Sequence, residues 1–271
     1  MPTNPYLFID GGCLREVVRS ISKEVSGDGA RIRPHFPKIG EGFRKSYYYD
    51  AVPAMDREEA VAEYEERVEA AHAEFDRIRS LDRFHVALGE IKGKKGNRRQ
   101  KQVDVRLAVE MLTHAFRANF VEATLLAGDD DFIPLIEALV REGIEVTIWH
   151  PPQASEQLLA VADNRREFSL KSAYSLLSVD GKSQAFSSKG SGGGQMGQDP
   201  TAWSAWEVDG TTYLGRCTKD YVKIERVNSD HSTSWQSFSI VGLTPREAGQ
   251  FASAATGWPV NIEHLSSEAV L

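Results

Sequence analysis

Asp10, Asp104, Asp129 and Asp131 are the residues whose types and settings could do chemistry together. The stretch LLAGDDDFIPLIEAL (Leu125–Leu139) places three acids where an apolar strand should pass into a helix. One acid there is a helix cap; three call for a further reason. Asp10 closes the apolar run YLFID in the same way. Asp104 sits near the start of a helical stretch, on the face shared by Leu107, Ala108, Met111 and Ala115. That spacing turns its carboxylate toward the packed side. Carboxylates gathered in one space repel each other and resist ionisation. A divalent cation relieves both costs, and an all-oxygen donor set without His or Cys favours Mg²⁺ or Mn²⁺. Taken singly, each acid also has a plain structural reading: Asp129 or Asp130 as a cap, Asp104 as a first-turn acid on the helix dipole, Asp10 as a turn residue.

The elements that must position these acids alternate. Strand-like runs at Tyr6–Asp10, Ser46–Val52, Phe84–Ile91, Val121–Gly128 and Ile144–His150 are separated by helical patterns, with Glu167–Leu170 as a short final edge strand. The helical stretches fall around Leu14–Val25, from Val61 to Ile78, over Val103–Phe116 and Phe132–Gly143, and around Ser155–Ala162. Strand and helix in alternation predict an α/β fold with a mostly parallel central sheet. Ligands of such a sheet gather outside the carboxyl ends of its strands, where Asp10 and the Asp129–Asp131 run lie. Asp50 ends the second strand and reads first as a turn residue, second as an auxiliary to the site.

Beyond residue 179 the composition shifts. Residues 180–200 are rich in Gly and Ser and read as a flexible linker between a domain over 1–179 and a small one over 201–271. The last segment carries four of the five tryptophans. A hairpin turning at Asp209-Gly210, strands at Tyr221–Val227 and Ser234–Val241, and a helix begun by the capping box Thr244–Glu247 and closed by Gly257 predict a β-rich α+β module. With 41% apolar and 26% charged residues, the 271-residue chain can build sizeable cores. Two distant cysteines predict no disulfide framework and a reducing cytoplasm. No run is long and apolar enough to span a membrane. A net charge of −7 excludes a globally cationic nucleic-acid binder but not a local basic stripe.

Three segments together, IDGGCL (Ile9–Leu14), KQVDVRLAVEM (Lys101–Met111) and LLAGDDDFIPLIEAL, resemble the signature segments of the NYN domain, a family of the PIN-like nuclease superfamily. The aromatic SYYYDA run and the later ADNRREFSL segment (Ala162–Leu170) match that family too, over roughly residues 5–178. The resemblance implies a Rossmann-like PIN fold and a metal-dependent endoribonuclease, with Asp10, Asp104, Asp129 and Asp131 as catalytic and metal-binding acids. Cys13 stands where the family often has Asn, Ala127 replaces a common Ser, and Asp130 replaces the Ser between two acids. The first two remove polar support. They keep open an alternative, a catalytically weak or inactive PIN-like protein that binds RNA or a protein. Asp130 adds charge, as an auxiliary ligand or as a cap.

The substrate side is suggested by GEIKGKKGNRRQK (Gly89–Lys101), where Lys92, Lys94, Lys95, Arg98, Arg99 and Lys101 face one acid, Glu90. Most charge runs are simply solvated. This one leads straight into the helix bearing Asp104, and a cationic loop beside an anionic site suits an RNA backbone. Tyr47, Tyr48 and Tyr49 read as strand core. Residues 201–271 carry five basic and eight acidic residues, so a protein partner or self-association is the expectation there. A phosphatase of the haloacid dehalogenase type would need an acid two residues after Asp10, and that position is Gly12.

Overall fold

Both faces of β1 are apolar: Tyr6, Leu7, Phe8 and Ile9 are all buried. A strand can bury consecutive side chains only if the sheet is covered on each side, which is the condition of a parallel α/β sheet. The computed structural model describes residues 5–26, 32–56, 58–92, 99–101, 103–179, 188–195, 204–217, 221–229, 232–239 and 243–260. In chain order the elements are β1 (Tyr6–Asp10), α1 (Gly11–Ser26), β2 (Ile32–Pro34), α2 (Phe36–Ile39), β3 (Lys45–Asp50), α3 (Val61–Arg79) and β4 (Phe84–Leu88). Next come β5 (Glu90–Lys92), β6 (Arg99–Lys101), α4 (Val103–Phe116), β7 (Glu122–Leu126), α5 (Ile133–Arg141), β8 (Glu145–His150), α6 (Glu156–Val161) and β9 (Asn164–Glu167). The chain continues through α7 (Leu170–Ala173), β10 (Leu177–Val179), β11 (Ser188–Gln195), β12 (Ser204–Val208), β13 (Thr211–Cys217), β14 (Tyr221–Val227), β15 (Ser232–Ser239) and α8 (Pro245–Thr256). None of the described helices is long and apolar enough to cross a membrane.

The chain divides into two compact units, Met1–Val17 with Ile39–Phe168, and Val18–Lys38 with Ser169–Leu271. In the first, six strands form one sheet in the order β4-β3-β1-β7-β8-β9. Every pairing in it is parallel. Its core stacks Phe8 on Tyr47 at 5.3 Å between ring centroids and packs Leu107 and Met111 of α4 against the sheet residues. Tyr47, Tyr48 and Tyr49 are core, as their aromatic run in a strand predicts. The last edge strand is NRRE rather than the expected EFSL. Its four residues are exposed, and Arg166 lies 4.4 Å over the buried Trp149 ring. An edge strand tolerates such polarity, and the apolar Phe168 and Leu170 are buried outside it.

The second unit pairs β2 with β10 antiparallel. Its main sheet runs β11-β15-β14-β13-β12. The four strands from β12 to β15 pair antiparallel in succession, and the first hairpin turns at Asp209 (φ 49°) and Gly210 (φ 72°). Two consecutive positive φ values are the two-residue turn that matches strand twist. α8 begins at the Thr244–Glu247 capping box and ends at left-handed Gly257. It packs Phe251 edge-on to Phe238 at 5.6 Å. The boundary expected near 179 falls at the end of β10, inside this unit. The span expected as a linker contains β11, whose Gly192 lies under the Trp235 indole: a Cβ there would meet Nε1 at 3.0 Å. A glycine run carries no periodicity to betray a strand, yet its lack of side chains is what admits the tryptophan.

Candidate active site

Because the six strands of the first unit are parallel, their carboxyl ends share one edge. Asp10 is the last residue of β1 and Asp50 of β3, while Asp129 follows β7. A cavity of about 680 Å³ opens there, lined by Asp10, Asp50, Asp104, Asp129 and Asp130 together with Glu16, Cys13 and Ser155. Five of the six acids singled out from the sequence therefore share one cavity. Asp131 is not part of its lining. Glu16 was missed; its signal was the helical spacing from Gly12 and Cys13 on α1.

Two of the acids also serve as caps. The Gly12 N–H donates to Asp10 Oδ1 at 2.8 Å, and the backbone of Cys13 adds a second bond to the same carboxylate. The Asp131 N–H donates to Asp129 Oδ1 at 2.9 Å, opening a short 3-10 turn over Asp130–Phe132. A carboxylate has about four acceptor sites, so capping leaves each with capacity toward the cavity. Asp130 accepts from Ser155 Oγ at 2.5 Å, and Ser155 in turn caps α6 by accepting from the Leu158 N–H at 3.0 Å. This bond makes Asp130 a tie between two loops. Asp50 is held by the Tyr48 hydroxyl at 2.7 Å, the Ala51 N–H at 2.7 Å and the Arg15 guanidinium. With three donors on a carboxylate that is 2% exposed, Asp50 shapes the wall.

Asp104 is exposed on the cavity wall rather than turned into the core as its helical face suggested. It lies in the first turn of α4, whose fully buried positions come only later, at Leu107 and Met111. α4 is fixed by a chain of bonds: Tyr49 Oη donates to Glu110 Oε2 at 2.9 Å, Arg106 Nε to Glu110 Oε1 at 2.8 Å, and Arg106 Nη1 to the Leu88 carbonyl at 3.0 Å. These bonds set the distance of Asp104 from the sheet edge.

The electrostatics show how close the acids are. Burial raises the Asp10 carboxyl above the ordinary aspartate range; bonds from the Cys13 and Gly12 backbones and the Arg15 charge oppose this, and Asp104 adds to it. Partial desolvation by the surrounding cavity wall also raises the exposed Asp104, followed by repulsion from Asp129 and Asp131. The Cys13 thiol is pushed up to about 12 by burial and then by Asp10, Glu16 and Asp129, so it stays protonated at neutral pH. An acid with a raised native pKa binds protons that the unfolded chain has released. Stability then falls as pH rises from the unfolded value near 4 through the native one, and the loss persists above it. Asp104→Asn is therefore expected to raise the melting temperature of the metal-free protein by roughly 1–3 °C at pH 7.5 and by less at pH 4.5. Thermal melts in EDTA check this, and a lower melting point at pH 7.5 would contradict it.

Among the described residues, no group of three or more His, Cys, Asp or Glu closes to metal-ligating geometry. The donor chemistry nevertheless fits a hard divalent cation: apart from the protonated Cys13 thiol, the ionisable side chains of the cavity are carboxylates, and their charges disfavour one another. Of the expected RNA contacts, Lys94, Lys95 and Arg98 lie outside the described residues. Lys92 falls in β5, and Arg99 and Lys101 in β6, so the ends of the expected loop form an antiparallel hairpin just before α4.

The NYN domain model matches residues 7–169. No curated protein matches the chain. Among solved structures, a protein of unknown function from Vibrio parahaemolyticus is similar at 16% identity, over 62% of this chain and 94% of that one, with a TM-score of 0.42.

Proposed function

Since the chain belongs to the NYN domain family, a PIN-like nuclease family, we propose that it is an endoribonuclease that hydrolyses RNA phosphodiester bonds with Mg²⁺ or Mn²⁺. The observation that carries this reading is the shared cavity of Asp10, Asp104 and Asp129 at the carboxyl edge of a parallel sheet. These three would hold the ion. When bound, it supplies charge neutralisation at the scissile phosphate and a more acidic water.

The remaining roles belong to the chain. The caps at Gly12, Cys13 and Asp131 keep one oxygen of Asp10 and of Asp129 engaged with backbone, which fixes each carboxylate for its task. Asp131 acts from outside the cavity wall, through its N–H on Asp129 and its charge on Asp104. The β5–β6 hairpin and the basic residues it carries are assigned to the RNA backbone. The C-terminal unit is assigned to protein interaction or self-association, and a reducing cytoplasm is the proposed setting.

Cleavage of single-stranded and structured RNA by purified protein, dependent on Mn²⁺ and abolished by EDTA, is the expected result. Absence of cleavage together with no manganese uptake by calorimetry would overturn it. A second reading, RNA or protein binding with little cleavage, is favoured by one observation: the neutral Cys13 thiol lines the cavity beside Asp10, where the family often has Asn.

A further inference from the structure

Beside the acidic cavity lies a cation to which the hydrolytic chemistry assigns no task. Arg15 stands on α1 one helical turn after Gly11 and Gly12, hence on the same face. Its Nη1 pairs with Asp50, and its guanidinium hydrogen-bonds the Tyr48 hydroxyl. The two ends of this ion pair differ sharply in exposure: the Asp50 side chain is 2% exposed and that of Arg15 50%. The anchor is also rigid. Tyr48 and the Ala51 N–H each hold Asp50 at 2.7 Å, and Gly11 leaves no room for a Cβ beside it. A guanidinium has five N–H donors in a planar fork that matches a phosphate, more than its bonds to Asp50 and Tyr48 use, and half of the Arg15 side chain is exposed.

We propose that Arg15 is a phosphate-binding residue, gripping the backbone phosphate next to the scissile one, with Asp50 and Tyr48 as positioning residues that hold its guanidinium beside the cavity. The inference rests on the reading of that cavity as the RNA-cleaving site. It also meets a need of that reading. The cavity lining is acidic and carries no basic side chain among the described residues, so a polyanion entering it requires a fixed cation nearby. The plainer account makes Arg15 only the counter-ion of a buried carboxylate. The two accounts differ in counterion release: a cation that grips one phosphate of a single strand adds about 0.7 to the slope of log affinity against log salt, and a mere counter-ion adds nothing.

The test uses the full chain and a labelled single-stranded RNA oligonucleotide in EDTA, with binding followed by fluorescence anisotropy across a salt series. Arg15→Ala is expected to reduce the slope by about 0.7 and to weaken binding several-fold. Arg15→Lys should restore the slope without the full affinity. Because Arg15→Ala leaves Asp50 buried without its counter-ion, the double variant Arg15→Ala/Asp50→Asn removes the charge as well and should show the same reduction of slope. Asp50→Asn alone should weaken binding with the slope intact. A slope unchanged in both the single and double Arg15 variants overturns the proposal. Wild-type cleavage with Mn²⁺ is scored separately. Cleavage with an unchanged slope sinks this inference alone, whereas a reduced slope with neither cleavage nor manganese uptake sinks the hydrolytic reading and leaves Arg15 as a phosphate contact with no scissile neighbour.

Discussion

Replacing Asp129 with Asn is expected to lower manganese-dependent RNA cleavage by roughly 100-fold or more, and Asp10→Asn by a similar factor. The substitution is informative here because of the caps. Asn keeps one acceptor oxygen, so the bond from Asp131 to position 129 and that from Gly12 to position 10 survive. What is removed is the negative charge that would bind the ion. Melting temperatures should stay within a few degrees of wild type, while manganese uptake falls. Cleavage that persists in either variant at the wild-type rate would show that the cavity is not where the bond is broken. A collapse of the melting point would show that the carboxylate's main task is structural.

Gly11→Ala should lower stability by about 1–3 kcal/mol, although a helix-propensity argument gives the opposite sign. Exchanging Gly for Ala in a helix interior gains at most ~1 kcal/mol, and Gly11 is only the first residue of α1. Against that gain, a Cβ at position 11 would lie 2.6 Å from Asp50 Oδ2 and 2.7 Å from Tyr48 Cζ and Oη. Neither side chain can swing clear cheaply, since both are buried and bonded to each other, with Arg15 on top. Overpacking therefore wins, and a fall in melting temperature of roughly 3–10 °C follows. Gly12→Ala is the comparison: its Cβ would meet only Asp10 Oδ1, at 3.1 Å, and should cost less. A Gly11→Ala protein as stable as wild type would mean that the Asp50–Tyr48 pair is looser than its geometry indicates. It would also weaken the case for Arg15 as a fixed cation.

Much of the architecture was readable from periodicity. Apolar spacings of three and four between Val61 and Ile78 marked α3, whose bounds are Val61–Arg79. The Asp209-Gly210 turn and the Thr244–Glu247 box were equally legible, because each is a local motif whose energy lies within a few residues. β11 was not legible, since its place comes from pairing with β15, where Gly192 meets Trp235 more than forty residues away. Neither was the pairing of β2 with β10. The final edge strand was misplaced by three residues because the apolar residues after it are buried by packing, not by sheet pairing.

For the site, residue types and their positions after strands already determined that acids would collect at one sheet edge, because parallel pairing leaves the carboxyl ends no other place to go. Which of them face the cavity was decided only by the fold. Asp131 is not part of the lining, although its N–H holds Asp129 and its charge acts on Asp104. Asp130 is drawn to Ser155, Glu16 is carried in by α1, and Arg15 meets Asp50 across thirty-five positions of sequence. Local pattern records which direction a side chain takes from its own backbone. The partner it meets there depends on contacts between remote segments, and no spacing within either segment encodes them.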